Sequence, residues 1–291
     1  MMARLALAIL WLVHWLPARA QAALGAGLGS LLHALAASRR RIAARNIELC
    51  LPEIEAPARA RLVREHFRWL GRSILERGLI WNAPRARLES LIEVEGDVHL
   101  AERSDAPVMW LVPHFMALDA AGIAIQLFQQ RGAASIYQKQ SNPVFDAAMR
   151  RGRQRFARSE LFTRQEGAKP LIRAIRQQGM GFVNLPDMDF GIKDAAFVDF
   201  FGVPAATLLA PSRMARSLGM VVQPVVAEMR EQGGWRVRFL PPLPNWPTDD
   251  PLDDTLQMNR WIEAEVRRNP AQYLWVHKRF KTRPAGEAPL Y

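Results

Sequence analysis

His114 and Asp119 stand in the run Val-Pro-His-Phe-Met-Ala-Leu-Asp, five residues apart and directly after a short apolar stretch. A histidine in such a place can take up a proton near neutral pH, and an acid within reach can fix its tautomer and steady the resulting imidazolium. The offset suits that pairing if the imidazole sits in a turn and the acid in the first turns of the next helix. This is two-thirds of a charge relay, and what is missing is the nucleophile. No Gly-x-Ser-x-Gly elbow occurs, and the one cysteine, Cys50, lies far upstream on a predicted helix. The base would have to activate a group brought in by a substrate. A hydroxyl attacking an activated acyl carbonyl meets that requirement. The competing reading is a structural histidine hydrogen-bonded at a strand end.

Asp187 and Asp189, in Leu-Pro-Asp-Met-Asp-Phe-Gly, follow a second apolar stretch and so fall near the same sheet edge. Their spacing suits either a divalent-cation site or two carboxylates that hold a loop by accepting backbone hydrogen bonds or by pairing with Arg164 or Arg213. No further carboxylate or histidine cluster supplies the remaining ligands, so the second reading is favoured and no metal is expected. His14, His33, His66, His99 and His277 are scattered, without zinc spacing.

The charge balance points outward. With 39 Lys+Arg against 28 Asp+Glu the chain carries a formal +11, so an anionic partner is expected: nucleic acid, phospholipid headgroups or an acidic protein. The densest basic runs are Arg150 to Arg158 and His277 to Arg283. Arginine suits bidentate grip on phosphate, while no helix-turn-helix, zinc finger or aromatic RNA-binding signature is present, so nucleic acid is not the favoured partner. A composition of 49% hydrophobic and 23% charged residues excludes disorder and a multi-span membrane protein, and one cysteine excludes a disulfide framework.

Elements that would position these residues alternate along the chain. The periodicity predicts an amphipathic helix over 64–81, a strand over 107–112, and an Ala-rich helix over 117–130. A basic helix follows Asn142-Pro143, and another helix is stopped by Gly179 before a strand over 180–185. A helix over 207–218, strands over 220–227 and 235–240 and a late helix through Met258 and Ile262 complete the pattern. Such alternation predicts an α/β fold with a mixed, mostly parallel central sheet flanked by helices. The first forty residues read differently. Leu5 to Ala18 and Ala20 to Ala37 are uncharged, and Arg39, Arg40, Arg41 and Arg45 follow at once. That pattern favours an uncleaved membrane-associating segment over 1–38 ahead of one catalytic domain over 39–291. A cleaved signal peptide and a buried Ala/Leu-rich helix are the alternatives.

Several blocks together, His114-Phe115 with Asp119, Asn142-Pro143, Asp187-x-Asp189-Phe190-Gly191, Phe200 to Thr207 and Gln272 to Pro284, resemble the late acyltransferases of lipid A biosynthesis in Gram-negative bacteria. These are lauroyl and myristoyl transferases, themselves similar to glycerolipid acyltransferases, and the likeness covers nearly the whole chain. The resemblance implies transfer of a fatty acyl chain from acyl carrier protein to a hydroxyl of a hydroxyacyl chain on a phosphorylated, Kdo-bearing lipid A precursor, at the cytoplasmic face of the inner membrane. His114 then matches the family's catalytic base and Asp119 its acidic partner in an HX4D motif, where close members often carry Glu. Arg164 matches an arginine that contacts the anionic part of the substrate, Asp187 and Asp189 fall in a block that shapes the site, and Asn142 belongs to the substrate-binding set. No cofactor is implied beyond the acyl thioester as co-substrate. Another lipid acceptor such as a lysophospholipid, and a non-catalytic basic surface-binding protein, are the alternatives.

Overall fold

The computed structural model describes residues 1–291. Four helices come first: α1 (Met2–Val13), α2 (Ala18–Leu35), α3 (Ala37–Cys50) and α4 (Ala56–Asn82). There follow α5 (Arg85–Leu91), β1 (Ile92–Gly96), α6 (Leu100–Arg103), β2 (Val108–Leu111), α7 (Leu118–Phe128), β3 (Ala133–Tyr137), α8 (Pro143–Arg153), β4 (Ser159–Thr163), α9 (Lys169–Gln178) and β5 (Gly181–Asn184). The hairpin β6 (Ala195–Phe200) and β7 (Val203–Leu208), then α10 (Ala210–Ser217), β8 (Val221–Met229), β9 (Trp235–Phe239) and α11 (Pro251–Arg268) complete the chain.

The expected α/β architecture is present. Seven strands form one sheet in the order β1-β9-β8-β2-β5-β3-β4, parallel at every pairing except β8 with β9. Central β2 is Val-Met-Trp-Leu with all four residues buried, the continuous apolar run that a strand covered on both faces requires. β9 alternates instead, burying Trp235, Val237 and Phe239 between half-exposed arginines. Local chemistry sets the helix ends. Asn142 and Asp250 accept backbone N–H groups at the starts of α8 and α11, each with proline in the first turn, and Gly179 closes α9 in the left-handed region.

One boundary differs from expectation. Thr207, predicted to open a helix, belongs to β7, because residues 203–208 pair antiparallel with 195–200; the helix begins only at Ala210, where Pro211 marks the first turn. Strands β1, β3, β4 and β6 have no counterpart among the predicted elements.

α2 lies on α4 with glycine against glycine. A Cβ on Gly71 would come within 2.2 Å of the Gly29 nitrogen, and one on Gly29 within 2.0 Å of the Phe67 carbonyl. α1 also meets α4 closely: a Cβ on Gly78 would come within 2.3 Å of the Leu10 carbonyl oxygen. The segment expected to associate with a membrane thus rests directly on the body. No single helix is long and apolar enough to cross a bilayer; only α2 and α3 taken together pass by length and composition, and they are bent by 95°. Leu5, Trp11 and Leu12 of α1, Leu31 of α2 and Trp15 of the turn between the two helices are exposed, Trp15 at 65%.

Candidate active site

A cavity of about 710 Å³ lies at the carboxyl ends of β2, β3 and β5, between the sheet edge and α4. This is where an open α/β sheet offers a crevice, and the volume falls in the usual range for a ligand site. Leu70, Ile74, Ile80, Phe182, Met229 and Trp235 are among its apolar walls. The turn from His114 to Asp119, between β2 and α7, supplies a polar stretch.

His114 sits in that turn, as expected, but the carboxylate that meets it is Asp187. Asp187 Oδ1 lies 2.7 Å from His114 Nδ1, and its Oδ2 accepts the His114 backbone N–H at 2.9 Å. The Asp187 side chain is 1% exposed. Burial alone would raise its carboxyl; the His114 charge, the two His114 donors and the Tyr273 hydroxyl outweigh this and hold it below the ordinary carboxylate value. An ionised carboxylate only accepts, so Nδ1 carries a proton and Nε2 is the ring nitrogen left to meet a ligand. Nε2 has no partner within the chain, and His114 lines the cavity.

The expected pairing of His114 with Asp119 is therefore corrected. Asp119 does occupy the first turn of α7, but its carboxylate is taken by Arg153 at 2.6 Å from α8 and by Arg77 at 3.4 Å from α4. Burial would raise this carboxyl too, and the two guanidiniums, Arg153 first, pull it below its ordinary value.

Asp189 turns away from Asp187. It accepts from the Gly191 N–H and from the backbone and hydroxyl of Thr282, so it holds a loop against the C-terminal segment. Neither aspartate pairs with Arg164 or Arg213. Arg164 lines the cavity with its guanidinium 4.0 Å from the Phe190 ring centre. Asn142 does not line it; its side-chain oxygen accepts from Val144 and Phe145 and caps α8.

The chain from 272 to 282 braces the whole arrangement. The Met116 N–H donates to the Gln272 carbonyl at 2.8 Å, the Leu274 N–H donates to the His114 carbonyl at 3.0 Å, and the Gln272 side chain bonds both backbone groups of Met229. Burial, then the Asp187 charge, keep the Tyr273 hydroxyl far above an ordinary tyrosine, so it remains a donor. His277 is pushed down to about 4 by burial, then by the charge of His114, and its neutral Nε2 accepts the Asp189 N–H. Tyr273 and Arg77 had not been singled out in the sequence: Tyr273 looks like core, and Arg77 like one more charge on an amphipathic helix.

A proton acceptor at the edge of a large apolar cavity is what transfer of a fatty acyl group needs, and residues 1–282 match the model for the bacterial lipid A biosynthesis acyltransferase family. The protein is an acyltransferase of lipid A biosynthesis; the chain belongs to that family. It is 32% identical to the lipid A biosynthesis palmitoleoyltransferase of Escherichia coli (strain K12), over 98% of this chain and 92% of the relative. The lauroyltransferase of the same organism is also 32% identical, over 99% and 94%, and the myristoyltransferase 30%, over 91% and 82%.

Proposed function

We propose that this protein moves a fatty acyl chain of about twelve to fourteen carbons from acyl carrier protein to a hydroxyl on a Kdo-bearing lipid A precursor, with His114 as general base. The observation that carries this reading is the His114–Asp187 contact of 2.7 Å at the edge of the cavity. Nε2 takes the proton of the acceptor hydroxyl, Asp187 steadies the imidazolium, and the alkoxide attacks the thioester carbonyl. The carbonyl carbon gains an oxygen, the carbon–sulfur bond breaks, and the imidazolium returns its proton to the departing thiolate. Arg164 or a backbone N–H offsets the oxyanion. Apolar walls gain ~0.8 kcal/mol per buried CH₂, so they can discriminate among chains by a methylene or two.

In this reading α1 and α2 lie in the membrane surface, with the exposed Trp and Leu side chains in the headgroup boundary and Arg39 to Arg41 on anionic lipid. The catalytic domain then works on the cytoplasmic face of the inner membrane, drawing both substrates to its basic surface. Mass spectrometry of lipid A from cells with and without the protein tests this reading: a difference of one acyl group is expected, and identical spectra would reject it. With purified components His114→Ala should abolish transfer from acyl carrier protein thioesters while the fold persists.

A further inference from the structure

Six Asp, Glu, His and Arg side chains line the cavity: Glu76, Arg77, His114, Asp119, Arg153 and Arg164. Three of them are accounted for elsewhere or by simple pairs. Glu76 is bound to Arg72 at 2.9 Å, His114 to Asp187, and Arg164 lies over Phe190. The remainder is a cluster in which one carboxylate serves two guanidiniums. Arg153 spends Nε and Nη2 on Asp119 Oδ1, at 2.8 and 2.6 Å, and Arg77 directs Nε to Oδ2 at 3.4 Å. Neither terminal nitrogen of Arg77, nor Nη1 of Arg153, makes a hydrogen bond within the chain. The cluster therefore keeps one net positive charge and several unspent N–H donors beside the imidazole turn. The N-terminal turn of α7, which carries Asp119, adds positive partial charge.

We propose that Arg77 and Arg153 form a phosphate-ester subsite of this cavity, with Asp119 as the positioning residue that holds the two guanidiniums rather than the imidazole. Guanidinium forks match phosphate oxygens in pairs, and a carboxylate shared between two of them fixes their spacing before a ligand arrives. Because Asp119 stays ionised, it acts as a fixed strut and not as a proton carrier. The proposal rests on the acyl-transfer reading for the source of the phosphate. Both substrates bring one: the phosphorylated glycolipid acceptor, and the phosphopantetheine arm of the carrier-protein thioester.

Arg77→Gln is the variant of choice, since Arg153 still neutralises Asp119 and the Arg77 side chain is 37% exposed, so folding survives. Arg153→Gln, monitored by its melting curve, is the second. The full chain in detergent is assayed with a phosphorylated lipid A precursor and the same acceptor stripped of phosphate, and separately with acyl pantetheine thioesters bearing or lacking the phosphate. KM should rise about tenfold or more for one phosphorylated substrate, the order expected when a charged hydrogen bond is lost, with kcat little changed and no effect on its dephosphorylated counterpart. The arm that responds identifies the source. Equal losses on phosphorylated and dephosphorylated substrates, or a fall in kcat at constant KM, would overturn the proposal and assign the pair to the reacting carbonyl. Apart from turnover, inorganic pyrophosphate should raise the melting temperature of the unmodified protein and not that of Arg77→Gln. Equal protection of both also overturns it. A protein that transfers no acyl group yet keeps the Arg77-dependent pyrophosphate response removes the acyl reading and leaves the subsite standing.

Discussion

His114 and Asp187 stand at equal register just past the ends of two neighbouring parallel strands. Leu111 of β2 lies opposite Asn184 of β5, and each chain then runs through one apolar residue and a proline, Val112-Pro113 and Leu185-Pro186, before His114 and Asp187 respectively. The prolines lack the N–H that would continue the ladder, so both chains leave the sheet at the same height with imidazole and carboxylate facing.

Asp187→Asn keeps the shape but removes the charge that fixes the tautomer and steadies the imidazolium. Initial rates of acyl transfer are expected to fall about 10²-fold or more, with circular dichroism unchanged. A variant with near-normal rates would show that His114 needs no carboxylate partner.

Acid should loosen the protein through His66. This side chain is fully buried, with Nδ1 on the Ala271 carbonyl at 3.2 Å and Nε2 without a partner, and burial pushes it down to about 4. The unfolded chain takes up the proton near 6.5, so unfolding gains a proton between those values and stability falls as pH falls. His277 acts in the same sense; Glu76, which burial raises to about 7, acts in the opposite one. In urea unfolding at pH 7 and pH 5, His66→Gln should shrink the stability difference between the two pH values by about 2 kcal/mol. An unaltered difference would clear His66 of that role.

Gly71→Ala is expected to cost ~1–3 kcal/mol or more, because the new methyl meets backbone on α2. Gly27→Ala on the exposed side of the same helix pair meets nothing within 4 Å and should stabilise by ~0.5–1 kcal/mol through helix propensity. Thermal melts of the two variants should move in opposite directions. Similar shifts would mean that α2 does not pack on α4 at this distance.

The exposed tryptophans of α1 and of the turn after it give a membrane prediction. Replacing Trp11 and Trp15 together by Ser should lower partitioning onto anionic vesicles about tenfold or more in a sedimentation assay, given ~1.5–3 kcal/mol for each large apolar side chain buried. Unchanged partitioning would put the contact surface elsewhere.

Much of this fold is legible where one local rule acts alone. β2 and β5 read as buried strands because their apolar runs are continuous, β9 because its apolar residues alternate, and the end of α9 because Gly179 takes the left-handed turn. The partner of His114 is not legible in that way. Sequence proximity points to Asp119, but helix geometry carries that side chain round to α4 and α8, while the carboxylate that does arrive comes from 73 residues downstream through strand register. Thr207 misleads for a related reason: its strand exists only because residues 195–200 return to pair with it. The matching apolar-Pro-His and apolar-Pro-Asp endings were the available clue to the true pair.

The bracing of this crevice by residues 272–282 also has a meaning for biogenesis. A ribosome will have translated the strands, the imidazole and both of its candidate acids well before Gln272, Tyr273 and Thr282 emerge to lock them in place. Nascent polypeptide shorter than this is expected to be inert, so a half-made copy cannot begin acylating lipid while still being synthesised.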